Sequence, residues 1–209
     1  NKPYSLTPDT VLATMVQPEG LSLKSNYLGA FLHGTYYTLD APYFPTRGLS
    51  LSMRADYDFA QVGDPGFSPV LSGDFALRAA VPLGASLCLL PDLHLRSISH
   101  FGQEVSDGLF HTNFAGGTLA GRYFSDQVPF FGINHMIAMH DYLVDATAEL
   151  RYSPAPALYL SALAGVLLSD DELGGLPHRP DVFALGVQAA YDTLVGPLRF
   201  HLHWSDAQG

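Results

Sequence analysis

Gly48-Leu49-Ser50-Leu51-Ser52-Met53-Arg54-Ala55-Asp56-Tyr57-Asp58-Phe59 decides how this chain is read. From Leu49 onward, eleven residues alternate without an error. Leu49, Leu51, Met53, Ala55, Tyr57 and Phe59 share one face, and Ser50, Ser52, Arg54, Asp56 and Asp58 share the other. Side chains of a strand point to opposite faces in turn, so this is a strand with one apolar and one polar face. On a helix the same residues would scatter around the axis instead of forming a stripe. The stretch is long for a soluble strand, where about 5–6 residues is usual. It suits the roughly 9–11 tilted residues that cross a bilayer.

The pattern recurs along the chain. Tyr142, Val144, Ala146, Ala148, Leu150 and Tyr152 oppose Leu143, Asp145, Thr147, Glu149 and Arg151. Segments 71–81, 183–191 and 198–205 alternate in the same way, and 27–38, 87–99, 109–123 and 157–168 are weaker candidates. Segment 157–168 is apolar on both faces, as expected where an interior is partly packed. Pro, Gly and Ser mark short turns at 42–48, 82–85, 153–156 and 194–197, and longer connections fall at 63–68, 101–108, 125–140 and 169–181. Short turns at one end and long loops at the other is the asymmetry of membrane barrels. Tyr36, Tyr37, Tyr57, Phe59, Tyr142, Tyr152 and Trp204 sit near strand ends, where interfacial aromatic girdles belong.

Composition narrows the class. Of 209 residues, 47% are hydrophobic and 14% charged, against roughly 25% charged in soluble domains. Ten Lys and Arg against twenty Asp and Glu give a net charge of -10, which excludes most nucleic-acid partners. The single Cys88 excludes a disulfide framework and a cysteine-cluster zinc site. The longest apolar run, 157–168, is too short for a spanning helix. No apolar core follows Asn1 to Ser5, as a signal peptide would require. A soluble β-sandwich or lipocalin-like barrel also alternates, but lysines usually crowd its outside. Here Lys occurs only at Lys2 and Lys24, while Arg54, Asp56, Asp58, Asp74, Arg78, Asp145, Glu149 and Arg151 all lie opposite the apolar face. The expected fold is all-β: an antiparallel transmembrane β-barrel with about 8–9 strands in this chain, over residues 27–209, after an irregular segment at 1–26.

Chemistry-bearing motifs are sparse. Gly48-Leu49-Ser50-Leu51-Ser52 and Gly20-Leu21-Ser22-Leu23-Lys24 both lack the final glycine of a nucleophile elbow. His201 and His203 share a strand face, and His135 and His140 share a loop, but neither pair carries further ligands at metal spacing. Lumen-lining and loop histidines are the simpler reading. The chain is therefore expected to hold no cofactor, no metal and no catalytic residue.

Four segments carry a resemblance. Asp40-Ala41-Pro42-Tyr43-Phe44-Pro45-Thr46-Arg47-Gly48 resembles the "D-x-x-Y-F-P-T-R-G" turn of the bacterial surface antigen superfamily, which includes the barrel-assembly factor BamA. Asn113-Phe114-Ala115-Gly116-Gly117 resembles its "F-x-G-G" segment before an inward loop, and 191–200 its penultimate hairpin. Residues 121–135, with Gly121-Arg122-Tyr123, Gln127, Pro129-Phe130 and Gly132, resemble the "G-R-Y-x-x-x-Q-x-P-F-x-G-x-N" stretch of barrels attached to patatin-like phospholipases. This departs from the "V-R-G-F" of assembly factors and two-partner-secretion transporters.

The resemblance implies turn-motif residues Tyr43, Phe44, Pro45, Arg47 and Gly48. It implies inward-loop residues Gly116, Gly117, Arg122, Pro129, Phe130 and Gly132, with Arg122 facing a carboxylate such as Asp145 or Glu149. It further implies the C-terminal half of a 16-stranded barrel, one last strand beyond Gly209, and a patatin-like lipase domain upstream that this barrel anchors and translocates across the bacterial outer membrane. Outer-membrane lipid is the expected partner, with a homo-oligomer or larger membrane complex as a further one. A passive porin and a soluble ligand-binding barrel are the alternatives. Many small residues on the polar face (Ser50, Ser52, Ser72, Ala76, Ala80, Thr147) favour a wide barrel over a narrow one filled by side chains.

Overall fold

The computed structural model describes residues 27–62, 66–102, 112–117, 127–176 and 180–208. Eight strands form one antiparallel sheet: β1 (Tyr27–Tyr37), β2 (Gly48–Gln61), β3 (Val70–Pro82), β4 (Leu87–His100), β8 (Tyr142–Ala155), β9 (Leu158–Asp170), β10 (Val182–Thr193) and β11 (Gly196–Ser205), in that spatial order. Three short strands, β5 (Asn113–Ala115), β6 (Gln127–Val128) and β7 (Ile137–Met139), form a second sheet in the order β6-β5-β7. A short 3-10 turn at Asp206–Gln208 follows β11. Among the described residues the large sheet is open, with β1 and β11 at its edges.

Register explains why the sheet has two unlike faces. Residues paired across antiparallel strands share a face. Met53 pairs with Phe75, Phe75 with Leu95, Leu95 with Val144 and Val144 with Leu168. Farther along the sheet, Ala164 pairs with Leu185 and Leu185 with Trp204. These rows belong to an apolar belt: Met53, Leu185 and Trp204 within them and Leu150, Val187, Phe200 and Leu202 beside them are exposed, while Phe75, Leu95, Val144 and Leu168 are half-buried. The opposite face joins Arg54 to Asp74, Asp74 to Arg96, and His94 to Asp145. Asp145, Glu149 and Arg151 on that face are buried. An exposed apolar face backed by buried charge is the inverse of a soluble barrel and suits lipid outside and polar groups within.

The strand directions place the aromatic girdles. Tyr57, Phe59, Tyr142 and Trp204 fall at the long-loop end, while Tyr36, Tyr152 and Tyr191 fall at the short-turn end.

Four sequence expectations are corrected. In the described part of segment 109–123, residues 112–117, the strand is Asn113–Ala115, and it belongs to the small sheet, not the large one. The connection 125–140 is not wholly irregular, because it contains β6 and β7. β8 continues through Ala155, so the turn is Pro156-Ala157, with Ala157 at φ 65°. Finally, the segment from 38 to 47 is no tight turn but a ten-residue loop folded onto the polar face. Residues 1–26 lie outside the described residues, as does Arg122.

Candidate functional site

Two segments pack on the polar face of the sheet, one toward each end, and the sheet holds them differently. At the turn end the closing piece is the β1–β2 loop. Its shape is set internally: the Thr46 hydroxyl donates to Asp40 Oδ2 (2.6 Å), and the backbone amides of Thr46 (2.8 Å) and Arg47 (3.3 Å) donate to Asp40 Oδ1. These bonds, led by that of the Thr46 side chain, hold the Asp40 carboxyl below its ordinary value of 3.8. Gly48 leaves the loop at φ 109°, where an added Cβ would run into the backbone of Thr38.

The loop tip is seated by the wall. Phe44 and Pro45 are buried, while Tyr43 and Arg47 stay exposed. The Phe44 ring stacks on Tyr159 of β9, centroids 4.1 Å apart and 12° from parallel. Arg151 of β8 and Arg199 of β11 lie over the same ring at 5.5 and 5.4 Å. Arg151 Nη1 donates to the Pro45 carbonyl (3.2 Å), Arg199 Nη2 to the Tyr43 carbonyl (3.3 Å) and Cys88 Sγ to the Thr46 carbonyl (3.4 Å). Arg151 is itself fixed by a two-pronged pair with Glu149, Nε to Oε1 at 2.9 Å and Nη2 to Oε2 at 3.1 Å. Ser161 completes the group by donating to Glu149 at 2.6 Å. This buried charge is paired and hydrogen-bonded, as burial demands.

At the loop end the small sheet and the turn after it fill the interior. Phe130, Phe131 and Ile133 pack with Leu143 of β8, Leu167 of β9, and Val182 and Ala184 of β10. This is where the polar face of the sheet turns apolar, which accounts for the two-sided hydrophobicity of 157–168. Ser205 Oγ donates to the Gly132 carbonyl (2.6 Å), tying the segment to β11. Gln127 donates through Nε2 to the Gly116 carbonyl, and the Gly117 amide donates to Ile133 (2.6 Å). Gly116 adopts φ 124°, and a Cβ there would meet the His135 carbonyl. Pro129 sits half-buried between buried Val128 and Phe130. Asn113 is fully buried; it donates to the carbonyls of His140 (2.8 Å) and Asp141 (2.7 Å) and accepts from Arg96 Nε (3.2 Å).

Between the two seals the wall carries alternating charge. His94 Nε2 and Asp74 Oδ2 are 2.8 Å apart, Arg96 is 3.8 Å from the same carboxylate, and Arg78 is 3.8 Å from Asp92. Thr147 donates to the buried Asp145 at 3.0 Å.

The structure thus gathers most of the inward-loop residues named from sequence at one end and the turn-motif residues at the other. Among the described residues it engages Glu149 with Arg151 and Ser161. Sequence reasoning missed Cys88, Tyr159, Ser161 and Arg199 as the seat of the loop. Their only signal was membership of the inward face, because nothing local marks which inward residue a distant loop will touch.

The chemistry on offer is structural. Among the described residues the buried hydroxyl beside a carboxylate is Ser161 at Glu149, and that carboxylate is held by a bidentate guanidinium, which makes it a weak base toward the serine. His201 and His203 line the inner face of β11 with rings 5.1 Å apart, edge-on to Phe131. His140 pairs with Asp171 at 2.9 Å. Among the described residues no three His, Cys, Asp or Glu side chains gather as a metal site.

No curated protein matches the chain. The sequence model of the OMP85 superfamily does, over residues 1–209. Barrel domains of this superfamily are not themselves catalytic, and its members are outer-membrane proteins of Gram-negative bacteria. With its apolar belt outside and its charge within, the chain belongs to the OMP85 superfamily and forms an outer-membrane β-barrel of the surface antigen type.

Proposed function

We propose that this barrel anchors a patatin-like phospholipase domain in the outer membrane and serves its translocation. The observation that carries the reading is the stretch 121–135, whose spacing of Gly121-Arg122-Tyr123, Gln127, Pro129-Phe130, Gly132 and Asn134 resembles the patatin-linked barrels. Supporting it, Gln127, Val128, Phe130, Phe131, Gly132 and Ile133 of the described part are buried at the loop end, as residues of an inward loop would be. Under this reading Arg122 pairs with Asp145. Supporting that choice, Asp145 is buried and forms no ion pair among the described residues, whereas Glu149 is already engaged. The eight strands are the C-terminal half of a 16-stranded barrel. Two unpaired edges in hydrocarbon would each leave a row of amides and carbonyls unsatisfied, at several kcal/mol per group.

The test is to read the coding frame upstream of Asn1 and to assay the product. A strand followed by G-x-S-x-G, a downstream catalytic Asp, and phospholipase activity in the outer-membrane fraction are the expected results. An upstream frame without that nucleophile motif refutes the passenger while leaving the barrel in place.

A further inference from the structure

We propose that the β1–β2 loop is a displaceable strap that closes the turn-end mouth of the barrel. This rests on the membrane-barrel reading but not on any passenger domain. The loop starts on an edge strand, yet its tip lies across the interior on β8, β9 and β11. Three wall strands each hold one of its carbonyls: β11 through Arg199 to Tyr43, β8 through Arg151 to Pro45, and β4 through Cys88 to Thr46. A segment pinned from three directions over an interior spans its mouth.

Two features make the strap releasable. Its own shape comes from Asp40, inside the loop, so it keeps its form when it leaves the wall. Its tip, residues 43–46, is seated by one aromatic stack, two guanidiniums over one ring and three hydrogen bonds, and Leu39 packs beside Ala80, Cys88 and Leu90 at the loop's base. The strap contributes no strand to the large sheet; its bonds to β2 are those of Thr38 with Leu49 at the loop's base, away from the tip. Movement of the strap therefore leaves the belt intact. The Glu149–Arg151–Ser161 group remains satisfied among itself when the strap is out, so no buried charge is orphaned.

Cys88, the chain's single cysteine, reports the strap's position because its thiol lies under the Thr46 carbonyl. The experiment uses the whole outer-membrane protein that carries this chain, any cysteine outside the chain replaced by serine, folded into lipid vesicles, and a water-soluble, membrane-impermeant maleimide. Phe44→Ala removes the ring from the strap, and Tyr159→Ala removes its platform from the wall. Each variant is expected to speed Cys88 labelling by about tenfold or more over the native chain and to speed efflux of a small charged dye from the vesicles. Heat-modifiable gel mobility reports the folded fraction, to which rates are normalised. Failure of that whole protein to give a folded, vesicle-embedded band refutes the membrane reading itself. A folded native chain with unchanged labelling or unchanged efflux in both variants overturns the strap.

Discussion

An arginine scan along the outward face of β8 tests the orientation of the whole sheet. β8 runs Tyr142–Ala155, so its midpoint falls beside Ala148, and Val144 lies four residues nearer the loop end. A strand tilted by about 40° climbs roughly 2.5 Å of membrane depth per residue. Val144 is then about 10 Å from the midplane of an apolar band about 25 Å tall, close to its edge. Ala148→Arg is expected to cost about 2–4 kcal/mol, and Val144→Arg only about 0–1 kcal/mol. Gln188→Arg, on the inward face of β10, is expected to cost little because its charge meets the polar interior. The assay is reversible urea unfolding from lipid vesicles, followed by the fluorescence of the single tryptophan, Trp204. Equal costs at 148 and 144, or a larger cost at 188 than at 148, would refute the assignment of lipid and interior to the two faces.

Gly48→Ala places a Cβ at φ 109° against the Thr38 backbone and is expected to destabilise the chain by about 2 kcal/mol or more, read from the same unfolding curves. Ser205→Ala leaves the Gly132 carbonyl without its donor, with an expected loss of about 1–2 kcal/mol and faster proteolysis between 127 and 141. The folded-state pKa of Asp40 is depressed from 3.8, mainly by the Thr46 hydroxyl, so its contribution is present above that ordinary value and lost as pH falls through the lower, folded one. Denaturant titrations from pH 6 to pH 2 should show this loss in the native chain but not in Asp40→Asn; parallel curves would exclude it.

Much of the sheet could be read from period-2 alternation, because lipid on one side and water or charge on the other imposes a rule on every residue of a strand. Leu49 to Phe59 and Tyr142 to Tyr152 obey it and sit as read. What could not be read are contacts across the interior. Pro42, Pro45 and Gly48 announce a change of direction but not whether the loop folds in or out. The one hint was Phe44, an aromatic residue where a turn would expose it. Phe130-Phe131 in a nominal loop was a similar hint that this segment is packed. Segment 109–123 misled because Phe114 and Ala115 fit a short apolar run, and such runs do not distinguish a wall strand from one buried within.

The two seals also differ in the span of chain they close. Ser205 meets Gly132 across 73 residues, whereas the strap reaches Arg151 across 106 and Arg199 across 156. Long loops cost more entropy to close and form later. The closure cost differs by only about 0.3–0.7 kcal/mol, but the strap also needs β4, β8, β9 and β11 in place before it has a seat, so the loop-end plug is expected to pack as β8–β11 come together and the strap to seat last. Time-resolved thiol labelling during refolding should show Cys88 becoming protected after the 127–141 segment resists protease. Until that final step the nascent barrel is a cup, floored at one end and open at the other.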